Sequence, residues 1–530
     1  MRSAVDRSGS LAQVGRGRPK GWCLVRFHPG AIEVRVPAGA NLLDVARQAK
    51  VKVRADCGGK GTCKKCLVLL GSEGKEVLAC QYNVYQDLEV YLAPAPADEG
   101  QILVSTSIPV ATGLHPGTGH GVACDIGTTT VVACLHELAS GKELACAATT
   151  NPQAAYGADV ISRIHYASTE QGRRVMQGLI VACINHLIGQ LATEARIDPV
   201  QIGQMCVVGN TTMMHLFLGL PVDQLGQAPY RPFSVQAADV PAARLGLDLA
   251  PDAQVHVVDS IAGFVGADTT AVGLAVGIDQ AEEGTLVLDV GTNGELLLAA
   301  GGQVLAASCA AGPAFEGASI HNGSRAVEGA IERAWLQDQD LDVTTIGDKP
   351  ARSICGSGLV DLIACLLDLG LLDRTGRLAG PDSMQPDLPA VMAKRVSTYR
   401  GQPAFVVAAD VILTQSDIRQ VQLAKAAIRA GIEVMLLKAG MRASDLKRVL
   451  LAGAFGQYIN VRSAIRIGLL PGLEQDRVQA IGNAALAGAR MVLLDGRLRA
   501  KASAIARSIR YIELATDPLF ASAFSSAMQF

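Results

Sequence analysis

The sequence predicts an α/β protein of several domains: a small strand-rich unit near the start, a linker, and then a layered α/β body built twice. Three observations predict it. At 530 residues the chain exceeds what one hydrophobic core accommodates. Between residues 23 and 93, short alternating strands, one helix and a cysteine-rich loop succeed one another as a self-contained unit. From residue 121 onward strand and helix patterns alternate, and one of them recurs. "VACDIGTTTVVACL" (122–135) aligns without a gap on "LVLDVGTNGELLLA" (286–299), at an offset of 164.

The elements follow in order. Residues 1–22 begin "MRSAVDRSGSLAQVGRGRPK", basic and without the apolar run of a signal peptide, so a disordered tail is expected. "CLVRF" and "IEVRVP" alternate around the turn "HPGA" and predict a hairpin. "NLLDVARQAK" predicts a helix capped by Asn41, with Asp44 in its first turn. The loop "DCGGKGTCKKC" (56–66), the strand "CLVLL", Cys80 and the strand "LEVYLA" complete a domain over 23–94. "PAPADEGQ" opens a Pro- and Gly-containing linker, 95–120. Two half-domains, 121–280 and 281–495, and a C-terminal extension, 496–530, make up the rest. The extension ends in the apolar stripe "DPLFASAFSSAMQF", which packs back on the fold or meets a partner.

Composition narrows the function. The chain is 49% hydrophobic and 18% charged with a net charge of −2, which argues against a nucleic-acid protein. No run approaches eighteen uninterrupted apolar residues; the best, 359–373, carries three aspartates and suits a buried helix. A cytoplasmic protein without a membrane segment is expected. The 13 cysteines are an odd number, and Cys124, Cys134, Cys183 and Cys206 sit in apolar segments as small core residues. Reduced thiols are expected throughout.

The early cysteines are spaced Cys57-x5-Cys63-x2-Cys66-x13-Cys80. A 2Fe-2S cluster takes three thiolates from one wrapping loop and a fourth from a distant segment. Gly58, Gly59 and Gly61 let the backbone curl inward and aim amides at the sulfurs. Zinc, which favours two paired-cysteine knuckles, finds only the pair Cys63/Cys66; zinc and an empty loop stay open as alternatives. Residues 23–93 resemble plant-type and adrenodoxin-type ferredoxins, whose fold is a β-grasp and whose clusters carry one electron at low potential, about −400 mV for the plant type. Those families place their fourth cysteine further along the chain; here Cys80 takes that place. Lys60, Lys64 and Lys65 either dock an acidic partner or solvate the loop.

No G-x-x-x-x-G-K-[ST] occurs, so a P-loop is excluded. The repeated Asp-x-Gly-Thr turn offers another way to hold a polyphosphate. Asp125, Gly127, Thr128 and Thr129 on one side face Asp289, Gly291, Thr292 and Asn293 on the other. Glycine allows close backbone approach, hydroxyls and amides meet phosphate oxygens, and an aspartate from each side holds hydrated Mg2+. Taken singly, each turn is an ordinary hairpin. "VLLAGAFGQYIN" (449–460) offers Gly453, Ala454 and Gly456 as a flat surface for adenine. Gly356, Ser357 and Gly358 open a predicted helix whose free amides favour an anion. Gln422 and Lys425, on a helix begun by Thr414 and Asp417, reach a ribose or adenine unless Lys425 is a surface lysine. This constellation resembles the actin, sugar-kinase and heat-shock ATPase superfamily (ASKHA). By that resemblance residues 125–129 and 289–295 are the phosphate loops, 453–456 the adenosine motif and 207–219 the connecting strand and helix. Either Asp289 or Glu316 then orients the hydrolytic water, with Asp125 beside them; Asn210, Asp259 and Asp268 are weaker candidates.

The whole chain resembles the reductive activators of corrinoid proteins, through "VVGNTTMMHLFLGLP" (207–221), "AAGPAFEGASI" (310–320), "CGSGLVDLI" (355–363), "QLAKAAIRAGI" (422–432), "LAGAFGQYIN" (451–460) and "IGLLPG" (467–472). The resemblance implies an ATP-driven, one-electron reduction of Co(II) to Co(I) in a corrinoid methyltransferase protein, an upstream electron donor and a homodimer. Longer members carry an extra domain where this chain has only the linker. Three other readings share the pattern. They are a metabolite kinase with a redox-sensing ferredoxin domain and Asp259 as base, a docking factor with a regulatory ATPase, and an activator like those of 2-hydroxyacyl-CoA dehydratases. The last bridges a 4Fe-4S cluster between subunits; Cys309 and Cys355 tempt that assignment, but buried thiols near a nucleotide are the expectation for them.

Overall fold

The computed structural model describes residues 21–28, 32–51, 53, 55, 58–61, 66–71, 74–92, 105–109, 118–383 and 388–530. The basic tail up to residue 20, Cys57, Cys63, Lys64, Lys65 and most of the linker lie outside the described residues. The chain divides into two units, Met1–Ala55 with Gly59–Ala95, and the remainder.

In the first unit, β1 (Trp22–His28) and β2 (Ile32–Pro37) form the expected hairpin. Helix α1 (Leu42–Gln48) starts at Asn41, whose side chain accepts from the Leu43 amide, with Asp44 in the first turn. After the cysteine loop come β3 (Leu67–Leu70), β4 (Lys75–Leu78) and β5 (Leu88–Leu92). The sheet order is β2-β1-β5-β3-β4, with β5 parallel to β1 and antiparallel to β3. This is the mixed, helix-covered sheet of a β-grasp. Leu42, Leu43, Val45 and Ala46 turn one face of α1 into a core with Val25, Phe27, Val68 and Val90.

The second unit contains the duplication. Its first half runs β6 (His120–Ile126), β7 (Thr130–Glu137), β8 (Glu143–Thr150), α2 (Val160–Ala167), α3 (Glu170–Ala195), β9 (Ile202–Gly209), α4 (Thr211–Leu218), β10 (Ala238–Pro241), β11 (Gln254–Val257) and α5 (Ala267–Val276). Its second half contains β12 (Thr285–Val290), β13 (Gly294–Ala300), β14 (Gln303–Cys309), α6 (Gly356–Asp368), α7 (Gln415–Lys438), β15 (Arg448–Ala452), α8 (Gly453–Tyr458), β16 (Val478–Gly482) and α9 (Ala484–Leu494). The sheets read β8-β7-β6-β9-β11-β10 and, in the second half, β14-β13-β12-β15-β16. Three antiparallel strands followed by two parallel ones recur in the same order, which is what the sequence echo implies. The closing helices α5 and α9 cross tightly: a Cβ at Gly488 stands 2.1 Å from the Ala271 carbonyl oxygen.

The C-terminal extension packs back on the fold, one of the two fates expected of it. It forms α10 (Gly496–Ser508), β17 (Arg510–Tyr511), which joins the second sheet beside β14, and α11 (Pro518–Ala527), which packs on α7. The linker is partly pinned, because the Thr106 hydroxyl donates to the Ile481 carbonyl (3.1 Å) and the Asn483 amide to Ser105 (3.0 Å). The thiols are not all reduced. Cys134 and Cys146 are direct partners on β7 and β8, with Cα atoms 4.2 Å apart, and are joined as a disulfide. Cys124, Cys183 and Cys206 are buried core residues. By length and composition α3 could cross a membrane; its row Met176, Ile180, Ile184, Leu187 and Leu191 is buried in the first half's core.

Candidate functional site

In the first unit, Cys66 and Cys80 are brought together from either side of the β3–β4 hairpin. Both are buried, and their sulfurs lie 3.2 Å apart. That exceeds a disulfide bond by more than an ångström, so the two thiols stand side by side as unbonded soft donors. The cradle also fits. Gly59 and Gly61 hold φ of +98° and +77°, and a Cβ on Gly61 would press to 3.0 Å from the Gln81 side chain. Asn41 Nδ2 donates to the Cys80 carbonyl (3.0 Å), which ties the Cys80 segment to the helix cap. These residues suit an iron–sulfur cluster.

In the second unit, the two repeated turns meet, one from each half. Each is a hairpin closed by its own glycine: the Gly127 amide donates to the Thr130 carbonyl (2.9 Å) and the Gly291 amide to Asn293 (2.8 Å). Their hydroxyls converge on one carboxylate. Thr129 Oγ1 donates to Glu316 at 3.1 and 3.0 Å, and Thr292 Oγ1 donates to it at 2.9 Å. The two hydroxyls stand 3.4 Å apart. Glu316 therefore sits between the loops as a group shared by both halves. Thr128 turns the other way, and its hydroxyl accepts from Asn210 Nδ2 at 2.9 Å.

Behind this bridge lies a cluster of acids. Burial, then repulsion from Asp268 and Asp289, pushes Asp125 up to about 8, against a hydrogen bond from Asn483. Burial, then Asp268, pushes Asp289 up to about 7, and burial raises Asp268 to about 6. Glu295 is raised well above the carboxylate range by burial, then by Asp268 and Asp289. Carboxyls that drive one another up are a site short of positive charge, which a divalent cation supplies. Asp268 stood among the weaker candidates and Glu295 was only the end of a loop; both belong to the cluster.

The cluster fixes a pH prediction. In the fold these carboxyls keep protons that the unfolded chain releases near about 4. Their contribution to stability is complete below that value and is lost as pH climbs through 6 to 8, the folded values. Without divalent cations, Tm is expected to fall across that window, and Mg2+ to offset most of the fall. Scanning calorimetry with EDTA and with Mg2+ measures it; superimposable pH profiles would remove the cation from this cluster.

The remaining candidates divide. Gly453, at φ +78°, lies against the second loop: a Cβ there would be 2.5 Å from Asp289 Oδ1. Ala454 is exposed at the start of α8, Gly456 packs on Leu451, and Phe455 stacks on Phe315 with centroids 4.7 Å apart. Gly356, Ser357 and Gly358 are buried rather than open to an anion. A Cβ at Gly356 meets the Phe315 carbonyl at 2.1 Å, one at Gly358 meets Ile331 at 2.2 Å, and Ser357 Oγ donates to Glu332 O at 2.9 Å. Close packing explains that glycine pattern.

Gln422 and Lys425 are engaged by the chain's own end. Gln422 Nε2 donates to Met528 O (2.8 Å) and Thr375 O (3.1 Å). Lys425 Nζ donates to Gln529 O and lies 5.0 Å from the Phe530 ring centroid. Burial lowers the Lys425 ammonium to about 8. Deleting residues 528–530 is expected to cost about 2 kcal/mol by stranding this ammonium; urea denaturation reads it, and an unchanged midpoint would discount the contact. Asp259 is also engaged, accepting from Ser503 Oγ at 2.5 Å, which disfavours it as a free base. Cys309 and Cys355 are buried, so neither is presented for a cluster shared between subunits.

Comparison with known proteins identifies the domains in which the two groups of residues lie. Residues 25–85 match the 2Fe-2S iron-sulfur cluster binding domain. Residues 120–281 match the RACo middle region, and residues 283–530 the C-terminal domain of RACo, the ASKHA domain. The chain is 34% identical to the corrinoid activation enzyme RamQ of Eubacterium limosum, over 92% of this chain and 96% of that one. It is 26% identical to the Co(II) methylated amine-specific corrinoid protein reductase of Methanosarcina barkeri, over 71% and 70%. The solved reductive activator for corrinoid, iron-sulfur protein superposes with a TM-score of 0.70 at 30% identity, covering 96% of this chain and 98% of that one. With a 2Fe-2S β-grasp domain followed by a duplicated ATP-binding ASKHA fold, the chain belongs to the family of corrinoid reductive activators.

Proposed function

We propose that this protein reduces the cobalt of a cytoplasmic corrinoid methyltransferase protein from Co(II) to Co(I), one electron at a time, in a reaction driven by ATP. The observation that carries the reading is the likeness to reductive activators over nearly the full length. It is supported by the two sites, paired buried thiols in one unit and paired hydroxyl loops meeting on Glu316 in the other. A 2Fe-2S cluster held by Cys57, Cys63, Cys66 and Cys80 supplies single electrons at low potential, received from an upstream donor. Thr128, Thr129, Thr292 and Asn293 receive the polyphosphate of ATP, Asp125 and Asp289 hold Mg2+, and Gly453 and Ala454 leave room for the base. Glu316 orients the water that turns ATP into ADP and phosphate.

ATP matters because Co(II) resists reduction. A tenfold shift in a one-electron equilibrium corresponds to about 59 mV. If closure of the two halves changes their affinity for the Co(II) partner by a few kcal/mol, the transfer becomes favourable. The test mixes chemically reduced protein with a Co(II) corrinoid methyltransferase protein, with and without Mg-ATP, and follows the Co(I) absorption band. Equal Co(I) formation without ATP, or none with it, defeats the reading.

A further inference from the structure

The first phosphate loop is held from behind by the segment that follows β8. Asn151 Nδ2 donates to the Gly127 carbonyl (2.8 Å) and the Asn151 amide to the Thr129 carbonyl (2.9 Å). Arg163 Nη2 donates to the Thr128 carbonyl between them (2.5 Å). All three loop carbonyls therefore point back into the first half. In a planar trans peptide the next N–H points the opposite way, so the Thr128 and Thr129 amides are turned away from Asn151 and Arg163.

Arg163 itself is unusual. Its side chain is completely buried, yet among the described residues its other hydrogen bonds go to Gly157 O (2.8 Å), Gln153 Oε1 (3.4 Å) and Met213 Sδ (3.3 Å), and none to a carboxylate. The charged groups facing it are Asp159 at the cap of its own helix, Glu316, and the opposing cation Arg325. A buried cation without a carboxylate in contact is costly, whereas a backbone carbonyl is held equally well by a neutral amide, as Asn151 shows.

We infer that Arg163 is a positioning residue for the nucleotide: it turns the loop amides outward and places a fixed positive charge behind them, to meet the terminal phosphates of a nucleoside triphosphate. The inference rests on the ATP reading above. It predicts that the charge matters as well as the hydrogen bond, which a purely structural staple does not.

The experiment is calorimetric titration of Mg-ATP into the full-length protein, comparing wild type, R163K and R163M at about pH 6.5 and about pH 9, because a buried lysine releases its proton across that interval. R163M is expected to bind about tenfold or more weakly than wild type at both pH values. R163K is expected within about threefold of wild type at the lower pH and about tenfold weaker at the higher one. Should R163M fail to fold, the pH dependence of R163K relative to wild type still decides. Variants that match wild-type affinity at both pH values, even with a lowered Tm, overturn the inference and leave Arg163 a staple. A wild type that binds no nucleotide overturns the ATP reading itself, a result distinguishable from the first.

Discussion

Cys80→Ser is expected to bleach the protein and bring Co(I) formation down to background, at least about a hundredfold, because loss of a ligand exceeds the effect of losing an outer-shell partner. Mg-ATP affinity should stay within about twofold, since additivity holds for sites that share no partners. The reasoning is local to the first unit. Cys80 is buried, its sulfur is 3.2 Å from that of Cys66, and its carbonyl is fixed by Asn41. Serine keeps the volume and the backbone but offers a hard hydroxyl where a soft thiolate is needed. Iron content, the visible spectrum and the Co(I) assay read the result. A variant that stays brown with full iron would show that the fourth ligand lies elsewhere.

Glu316→Gln is expected to lower ATP hydrolysis by about a hundredfold, the range for a removed general base or a removed electrostatic contact. ATP affinity should change by less than about fivefold, because an amide still bridges two hydroxyls. Glutamine retains an oxygen for one threonine and offers its NH2 to the other hydroxyl, so the Thr129–Thr292 contact survives while the charge is lost. A phosphate-release assay beside calorimetric binding separates the two effects. Since Glu316 joins the loops of both halves, Co(I) formation should fall with hydrolysis. Unchanged turnover would shift the water-orienting role to Asp289, whose carboxyl is the other candidate within reach of the second loop.

Much of this protein was legible in residue order because the information is local. A hairpin announces itself through alternation and turn residues, so the β1–β2 hairpin and the repeated Asp-x-Gly-Thr turns could be read without coordinates. Periodicity likewise assigned a buried face to the helix at 415–438, and Thr414 and Asp417 do form its capping box. What periodicity does not carry is the identity of the neighbour. Gln422 and Lys425 lie on that buried face, but their partners are the last three residues, over a hundred positions away. Gly356 and Gly358 looked like an anion site, and are glycines because the backbone at Phe315 and Ile331 leaves no room for a Cβ.

Two kinds of chemistry were suggested by residues close together in the chain: a cysteine spacing suited to a cluster and a repeated Asp-x-Gly-Thr turn suited to a polyphosphate. The tertiary structure decided which groups share a site. Thr129 meets Glu316 across 187 positions, Asp268 joins Asp125 and Asp289, and Arg163 reaches the Thr128 carbonyl from a helix that shows no phosphate signature. Turns and strand faces are set by short-range sterics and solvent exposure. The meeting of distant carboxylates is set by how two sheets and their crossing helices stack, a property of the whole packing.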